Sequence, residues 1–297
     1  MADQQMLNQR CPLCAHNEAR FFSRKISFGF PIQYLICQNC GFVFQDASES
    51  QAADPQFYAE TYRKIYQSTE APTAKDLRQQ TLRAENQVEY LRKLDVFDPK
   101  RVLDFGASSG LLLEKLHEAF GCEVMGVEPG RAYRERAEAR GIPMAASLDA
   151  LMSGNPGRFN LVTMMHVLEH LQNPLETMDT IREKLLLPNG YILVEVPNLY
   201  AHDSFELAHL SCFTTHTLTQ MLLMAGFSLI SVRKYGLPRS ETLDLYVEAL
   251  AINSNCQVMP EHVEPERGVA AKRRAGLLKR QLLTRLNPGK TWLPLED

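Results

Sequence analysis

The chain has 297 residues, 45% of them hydrophobic and 23% charged, with a formal net charge of -3 and a pI near 6.3. That length suits one full α/β domain plus a smaller attachment, or two modest ones. The charge balance excludes a protein that coats nucleic acid or anionic lipid with its whole surface.

Residues 1–45 read as a small cysteine-bearing unit. Met1 to Arg10 is polar and lacks the apolar run of a secretory leader, and no stretch of eighteen apolar residues predicts a membrane span. A cytoplasmic location is therefore expected. Four of the seven cysteines form two tight pairs, Cys11-x-x-Cys14 and Cys37-x-x-Cys40, separated by 22 residues. Each pair can make a turn that presents two thiolates, and two such turns give the four sulfur ligands of a closed structural Zn2+ site. Gly41 fits the second knuckle. With all four ligands used, no position remains for catalysis, so the module is expected to staple the fold or dock a substrate. Cys122, Cys212 and Cys256 are expected to be buried apolar residues.

Residues 46–95 form a linker with an aromatic cluster (Phe57, Tyr58, Tyr62, Tyr66) and then a helical segment from about Lys75 to Leu94. From Arg101 short apolar runs alternate with amphipathic ones. Strands are expected at 101–105, 123–127, 160–165, 191–196, 227–233 and 243–251. Helices are expected at 111–120, 132–140, 174–187 and 218–225. This rhythm predicts a mostly parallel sheet with helices on both faces, the last two strands forming an antiparallel edge. The central domain spans 96–255. A basic helical tail, 256–297, has no acid between Arg267 and Lys290. Its Leu277, Leu278, Leu282, Leu283 and Leu286 predict an apolar stripe. That helix either docks with a solvated basic face or meets a phosphate-bearing partner.

The most informative stretch is Val102-Leu103-Asp104-Phe105-Gly106-Ala107-Ser108-Ser109-Gly110, a strand running through a small-residue turn into a helix. About twenty residues beyond the loop, the next strand ends in Glu128, where an acid can accept from both ribose hydroxyls of an adenosine. No Gly-Lys-Ser/Thr ending follows, so the turn is not a P-loop. Asp104 would repel a pyrophosphate but suits a ligand that bears an ammonium group.

VLDFGASSG, GVEPG, FNLVTMMHVLEHLQNP and GYILVEVPN, in that order, resemble the class I S-adenosylmethionine-dependent methyltransferases over roughly residues 75–250. The resemblance implies a Rossmann-like seven-stranded methyltransferase fold behind a small N-terminal zinc ribbon. It implies S-adenosyl-L-methionine as cofactor, with Asp104, Gly106, Ser108 and Gly110 around its methionine end and Glu128 at its ribose. It also implies that His166 sits near the cofactor. Two departures stand out: the family commonly has glycine at Ser108 and aspartate at Asn160.

His166, Glu169 and His170 lie in an HxxEH pattern that looks like an inverted zinc-protease motif. The Leu-Gln-Asn-Pro that follows fits the methyltransferase pattern better, so no metal is expected there. Glu169 and His170 either brace a turn or line an acceptor pocket. His209, in Glu206-Leu-Ala-His-Leu-Ser-Cys-Phe213, resembles the histidine segment of sugar methyltransferases that act on nucleotide-linked deoxysugars and also carry paired CxxC motifs. Ala208 and Leu207 replace the glutamate and tyrosine of their Tyr-Glu-His. The resemblance implies a small-molecule acceptor, a sugar, with His209, His166 and His170 as candidate catalytic groups. An RNA methyltransferase is the alternative, against which residues 1–45 are not basic. The intact turn and Glu128 argue against a non-catalytic scaffold.

Overall fold

The computed structural model describes residues 6–46, 71–94, 98–203, 205–254 and 258–294. The aromatic cluster at 57–66 and Cys256 lie outside the described residues.

Two sheets organise the chain. The first is built from β1 (Met6–Asn8), β2 (Glu18–Ser27), β3 (Phe30–Cys37) and β4 (Val43–Gln45). Helix α1 (Ala74–Arg92) follows, its first turn closed by a capping box between Thr73 and Asp76. It buries Ala84, Gln87, Val88 and Leu91, which share one helical face.

The second sheet then begins. Strand β5 (Arg101–Phe105) leads to α2 (Leu111–Phe120), β6 (Glu123–Val127) to α3 (Arg131–Glu138), and the short β7 (Met144–Ala145) to α4 (Leu148–Ser153). Strand β8 (Phe159–Met165) is followed by a 3-10 turn at Leu168–His170 and by α5 (Pro174–Thr180), which continues as one π-helical stretch, Ile181–Leu185. Then come β9 (Leu186–Pro197), the two-residue β10 (Ser211–Cys212), α6 (Thr215–Met224), β11 (Phe227–Tyr235) and β12 (Tyr246–Asn253). Helices α7 (Val269–Leu286) and α8 (Pro288–Thr291) close the described chain.

The seven-stranded sheet has the order β11-β12-β9-β8-β5-β6-β7. The chain leaves β5 toward β6 on one side and returns to β8 on the other, both pairings parallel. That reversal creates a crevice at the carboxyl ends of β5 and β8, where open α/β sheets bind ligands.

The last two strands form the antiparallel edge, with β11 outermost. β12 pairs antiparallel with β9 and with β11, so it sits one place in from the border. Burial gives the reason. β12 is buried at seven of its eight positions, whereas β11 alternates with partly exposed residues and suits the rim.

The cysteine module is joined to the rest by main-chain pairing. β10 adds to β4 with Ser211 opposite Phe44 and Cys212 opposite Val43. Helix α7 docks through its arginines and through part of its leucine stripe, Leu283 packing on the Leu243, Leu245 and Tyr246 cluster. Arg273 donates to the Leu199 carbonyl and lies over the Phe205 ring, and Arg280 donates to the Ala201 carbonyl. Leu278, Leu282 and Leu286 point outward at 64%, 56% and 72% exposure. The carbonyls of 199–201 need donors, and guanidinium groups supply them where leucines cannot.

Candidate active site

A cleft of about 660 Å³ opens at the reversal point. Its walls come from the turn after β5, the end of β6, the 3-10 turn after β8, the 202–209 segment and one face of α1.

The turn after β5 is shaped by close approach. Gly106 has φ +87°, and a Cβ there would meet Val167 Cγ2 at 2.3 Å. Gly110 has φ +74°, and a Cβ would meet Ile142 and Ala137 at 2.8 and 2.9 Å. Neither position tolerates a side chain. The amides of Gly106 and Ala107 both donate to the Val127 carbonyl, at 2.8 and 2.9 Å, which folds the turn over the end of β6. Ser108 takes φ +48°, so it holds a left-handed conformation that a glycine adopts without strain.

Glu128 is 2% exposed and lies on the cleft wall. Its Oε2 accepts from the Ser108 amide at 3.0 Å and its Oε1 from the Gly130 amide at 2.6 Å. Two backbone donors thus fix the orientation of the carboxylate, between loop and helix.

Asp104 and Gly110 are not among the cleft-lining residues. Asp104 is buried beneath the cleft and accepts from Thr163 Oγ1 at 2.7 Å. Burial pushes its carboxyl from 3.8 to about 7, against the pull of Thr163. Gly106, Ser108, Glu128, His166, His170 and His209 all line the cleft. Asn160 Oδ1 accepts from the amides of Lys100 and Arg101, at 3.2 and 2.9 Å. An amide oxygen makes these bonds as well as a carboxylate oxygen would.

The far end of the cleft is rich in histidine and carboxylate. His166, at φ +56°, places Nδ1 3.2 Å from Glu169 Oε1 and Nε2 2.7 Å from Glu195 Oε1. Burial and Arg83 oppose its charge, but the two carboxylates prevail and hold it above its ordinary value. Burial also opposes the charge on Glu169, yet His166 and His170 draw it down to about 2. Burial leads in lowering His170 to about 4. The rings of His170 and His209 meet edge-on at 4.9 Å, and His209 Nε2 lies 3.7 Å from Glu206 Oε2.

Sequence reasoning did not single out Arg83, Gln87, Glu195 or Tyr246. Glu195 is fully buried, accepts from Gln87 Nε2 at 2.7 Å, and lies 3.4 Å from Arg83 Nε. The signal was present: an acid inside the apolar run Tyr191–Val196 needs a buried partner.

The four module thiols come together as expected. Cys11 and Cys40 Sγ lie 3.6 Å apart, as do Cys14 and Cys37, and all four lie within 4.8 Å of one another. A disulfide would need about 2.05 Å. The edge of a tetrahedron with Zn–S bonds of about 2.3 Å is about 3.8 Å. The donor set therefore fits a tetrahedral zinc ion.

Comparison with known proteins adds the family. The sequence profile of a family described as methyltransferase domain matches residues 77–232, more than half of the chain. The chain belongs to this methyltransferase family. A ubiquinone biosynthesis O-methyltransferase of Vibrio cholerae is 30% identical over 115 residues, covering 36% of this chain and 46% of that protein. A mitochondrial protein of the same name from Schizosaccharomyces pombe is 29% identical over 119 residues, covering 36% and 41%. The match thus spans less than half the length of these curated relatives. Among solved structures, the plantazolicin methyltransferase BpumL, in complex with a monoazolic desmethylPZN analog and SAH, superposes with a TM-score of 0.51 at 14% identity. It covers 67% of this chain and 93% of that one, a likeness of fold. The methyltransferase family's seven-stranded sheet is the one described above. No helix among the described residues is long and apolar enough to cross a membrane.

Proposed function

We propose that this protein transfers the methyl group of S-adenosyl-L-methionine to a hydroxyl oxygen of a small-molecule acceptor. The observation that carries this reading is Glu128, pinned by two backbone amides on the wall of a cleft at the sheet's reversal point. There it can accept from the cofactor's ribose diol, while the turn at Gly106 admits the methionine portion. The cofactor supplies an electrophilic methyl on a sulfonium. The chain's part is to align an acceptor oxygen with it and to exclude competing nucleophiles.

The acceptor end is formed by His166, His170 and His209 with Glu169 and Glu206. This cluster can hold the hydroxyl and take up its proton. The acceptor inferred from the sequence is a sugar; the curated relatives, named as O-methyltransferases of ubiquinone biosynthesis, favour an oxygen of a quinone precursor instead. Both are small hydroxylated molecules, and a cleft of this size takes either. The cysteine module is read as a structural zinc site that braces the acceptor segment.

The test pairs calorimetry with product analysis. S-adenosylmethionine should bind the wild type, and Glu128→Gln should weaken it by at least about tenfold, the loss of a charged hydrogen-bond partner. Labelled methyl should then enter one member of a panel of nucleotide sugars, catechols and RNA. Absence of cofactor binding would falsify the reading; label in RNA would transfer it to the nucleic-acid alternative.

A further inference from the structure

Helix α7 is built inside out. Arg273 and Arg280 face the protein, where they donate to the Leu199, His202 and Ala201 carbonyls. Leu278, Leu282 and Leu286 face solvent, each more than half exposed. Leu283 and Thr284 complete the docked face, Leu283 against the Leu243, Leu245 and Tyr246 cluster and Thr284 accepting from Trp292 Nε1 at 2.9 Å. The helix is thus fixed in rotation, and three of its leucines are held out of the core although burial would favour them there.

The exposed face has an ordered pattern. Ala271, Ala275, Leu278, Leu282 and Leu286 are all exposed and follow one another at steps of four, three, four and four residues, which sets them in one stripe along the helix. The same geometry puts Arg274 and Arg285 along one border of the stripe and Lys272 and Lys279 along the other, all four exposed. Lys272 is shared with Glu266 at 3.1 Å, whereas Arg274, Lys279 and Arg285 make no salt bridge among the described residues. No acid occurs between Arg267 and Lys290. A merely solvated helix face is polar at its centre. An apolar centre with a cationic rim on both sides is the pattern of a helix that lies in a bilayer interface.

We infer that α7 seats this protein on an anionic lipid surface, with Leu278, Leu282 and Leu286 entering the acyl boundary and the cations on either side meeting phosphate headgroups. Charge complementarity and the shape of the stripe favour this occupant. RNA is bound through a continuous row of cations, and here the centre of the face is apolar. A protein partner would have to bury about 800 Å² on each side, of which three leucines and two alanines supply only a fraction. A second copy of this chain would also bring a second set of cations against the first. A bilayer needs no matched surface, presents negative charge along both borders at once, and takes up an apolar face to a depth of about 5–10 Å. The docked face of α7 is tied to His202, which lines the cleft, so the seated helix would stand between that wall of the cleft and the lipid. The attachment is independent of the cleft's chemistry.

The test is sedimentation of the full chain with vesicles. Vesicles of phosphatidylcholine with about one-third phosphatidylglycerol should carry the protein down, and phosphatidylcholine alone should hold it at least about tenfold more weakly. Raising the salt should weaken binding to the anionic vesicles. Leu278→Gln, Leu282→Gln and Leu286→Gln together change side chains that are already exposed, so the melting temperature should hold while vesicle binding falls at least about tenfold. Arg274→Gln, Lys279→Gln and Arg285→Gln together should remove the preference for anionic lipid. Leu282→Trp reports insertion: its emission, read against the single native Trp292, should shift to the blue on anionic vesicles. Wild-type protein that stays in solution with both vesicles overturns the inference without recourse to a variant. Vesicle binding that the leucine variant retains in full also overturns it, because the contact would then be charge alone, as for RNA. A wild-type dimer that the leucine variant splits, with neither protein held by vesicles, gives the stripe to a second copy and overturns it as well.

Discussion

The hydroxyl of Tyr34, on β3 of the cysteine module, donates to the backbone carbonyl of His209 at 2.9 Å. It reaches the Glu206 carbonyl at 2.8 Å as well, while the Gln45 amide nitrogen donates to Leu207 at 3.2 Å and the Leu210 carbonyl accepts from the Gln45 backbone. The module and the histidine-rich end of the cleft are therefore one mechanical unit. A segment with little regular structure of its own is held by side chains and backbone far away in sequence, which is how a site residue on a loop becomes rigid enough to act.

Tyr34→Phe tests that unit. The ring keeps its stacking on Phe205, at 4.3 Å, and loses the hydrogen bonds of its hydroxyl, those to the Glu206 and His209 carbonyls among them. Stability should fall by about 1–3 kcal/mol, read by urea denaturation. Turnover should fall while cofactor affinity holds. Equal losses in both would show that Tyr34 supports the whole domain and not the acceptor segment.

Zinc should be found at one ion per chain by elemental analysis, bound by the four thiols. Cys40→Ser should release it and lower the melting temperature, because binding free energy at a closed site is folding free energy. The acceptor segment should then become sensitive to protease ahead of the seven-stranded sheet, since β10 pairs only two residues of the module. A zinc-free wild type with an unchanged melting curve would refute the structural role.

Gly106→Ala forces a Cβ to 2.3 Å from Val167 Cγ2 at a positive φ. The left-handed conformation alone costs about 1–2 kcal/mol. S-adenosylmethionine affinity should drop by at least about tenfold. Adding Val167→Ala should restore part of it by removing the clash. No recovery would place the damage in the backbone and not in the contact.

Asp104 gives a pH signature. Its folded value near 7 lies above its ordinary 3.8. Below about pH 4 both states hold the proton, and the group costs nothing. Between those values the folded state keeps a proton that the unfolded state releases, so stability falls as pH rises, and the loss is complete above 7. Asp104→Asn stays neutral and can still accept from Thr163 Oγ1. The variant should gain on the wild type from pH 4 to 7 by up to about 4 kcal/mol, the shift taken at about 1.4 kcal/mol per pH unit. Denaturation curves that stay parallel across that range would show that Asp104 ionises normally.

Much of the fold was legible because its signals are local. Strands 101–105 and 123–127 and the helix 111–120 fall where the apolar runs and glycines put them. The paired CxxC spacing foretold the sulfur cluster, and the position of Glu128 after its strand foretold a carboxylate on the cleft wall. In each case the partners are close in sequence or follow from the register of a parallel sheet.

Other features depend on groups that no periodicity connects. The HxxEH pattern gave no sign that the His170 ring meets His209, which arrives from 39 residues downstream and is set in place by Tyr34 and β4. The inward place of β12 and the outward turn of Leu278, Leu282 and Leu286 on α7 were settled by competition for burial and for unpaired carbonyls. Sequence determined the elements, the small-residue turn after β5 and the thiol cage, because short-range geometry suffices for them. Tertiary structure decided which histidine meets which carboxylate, because that depends on where two sheets join.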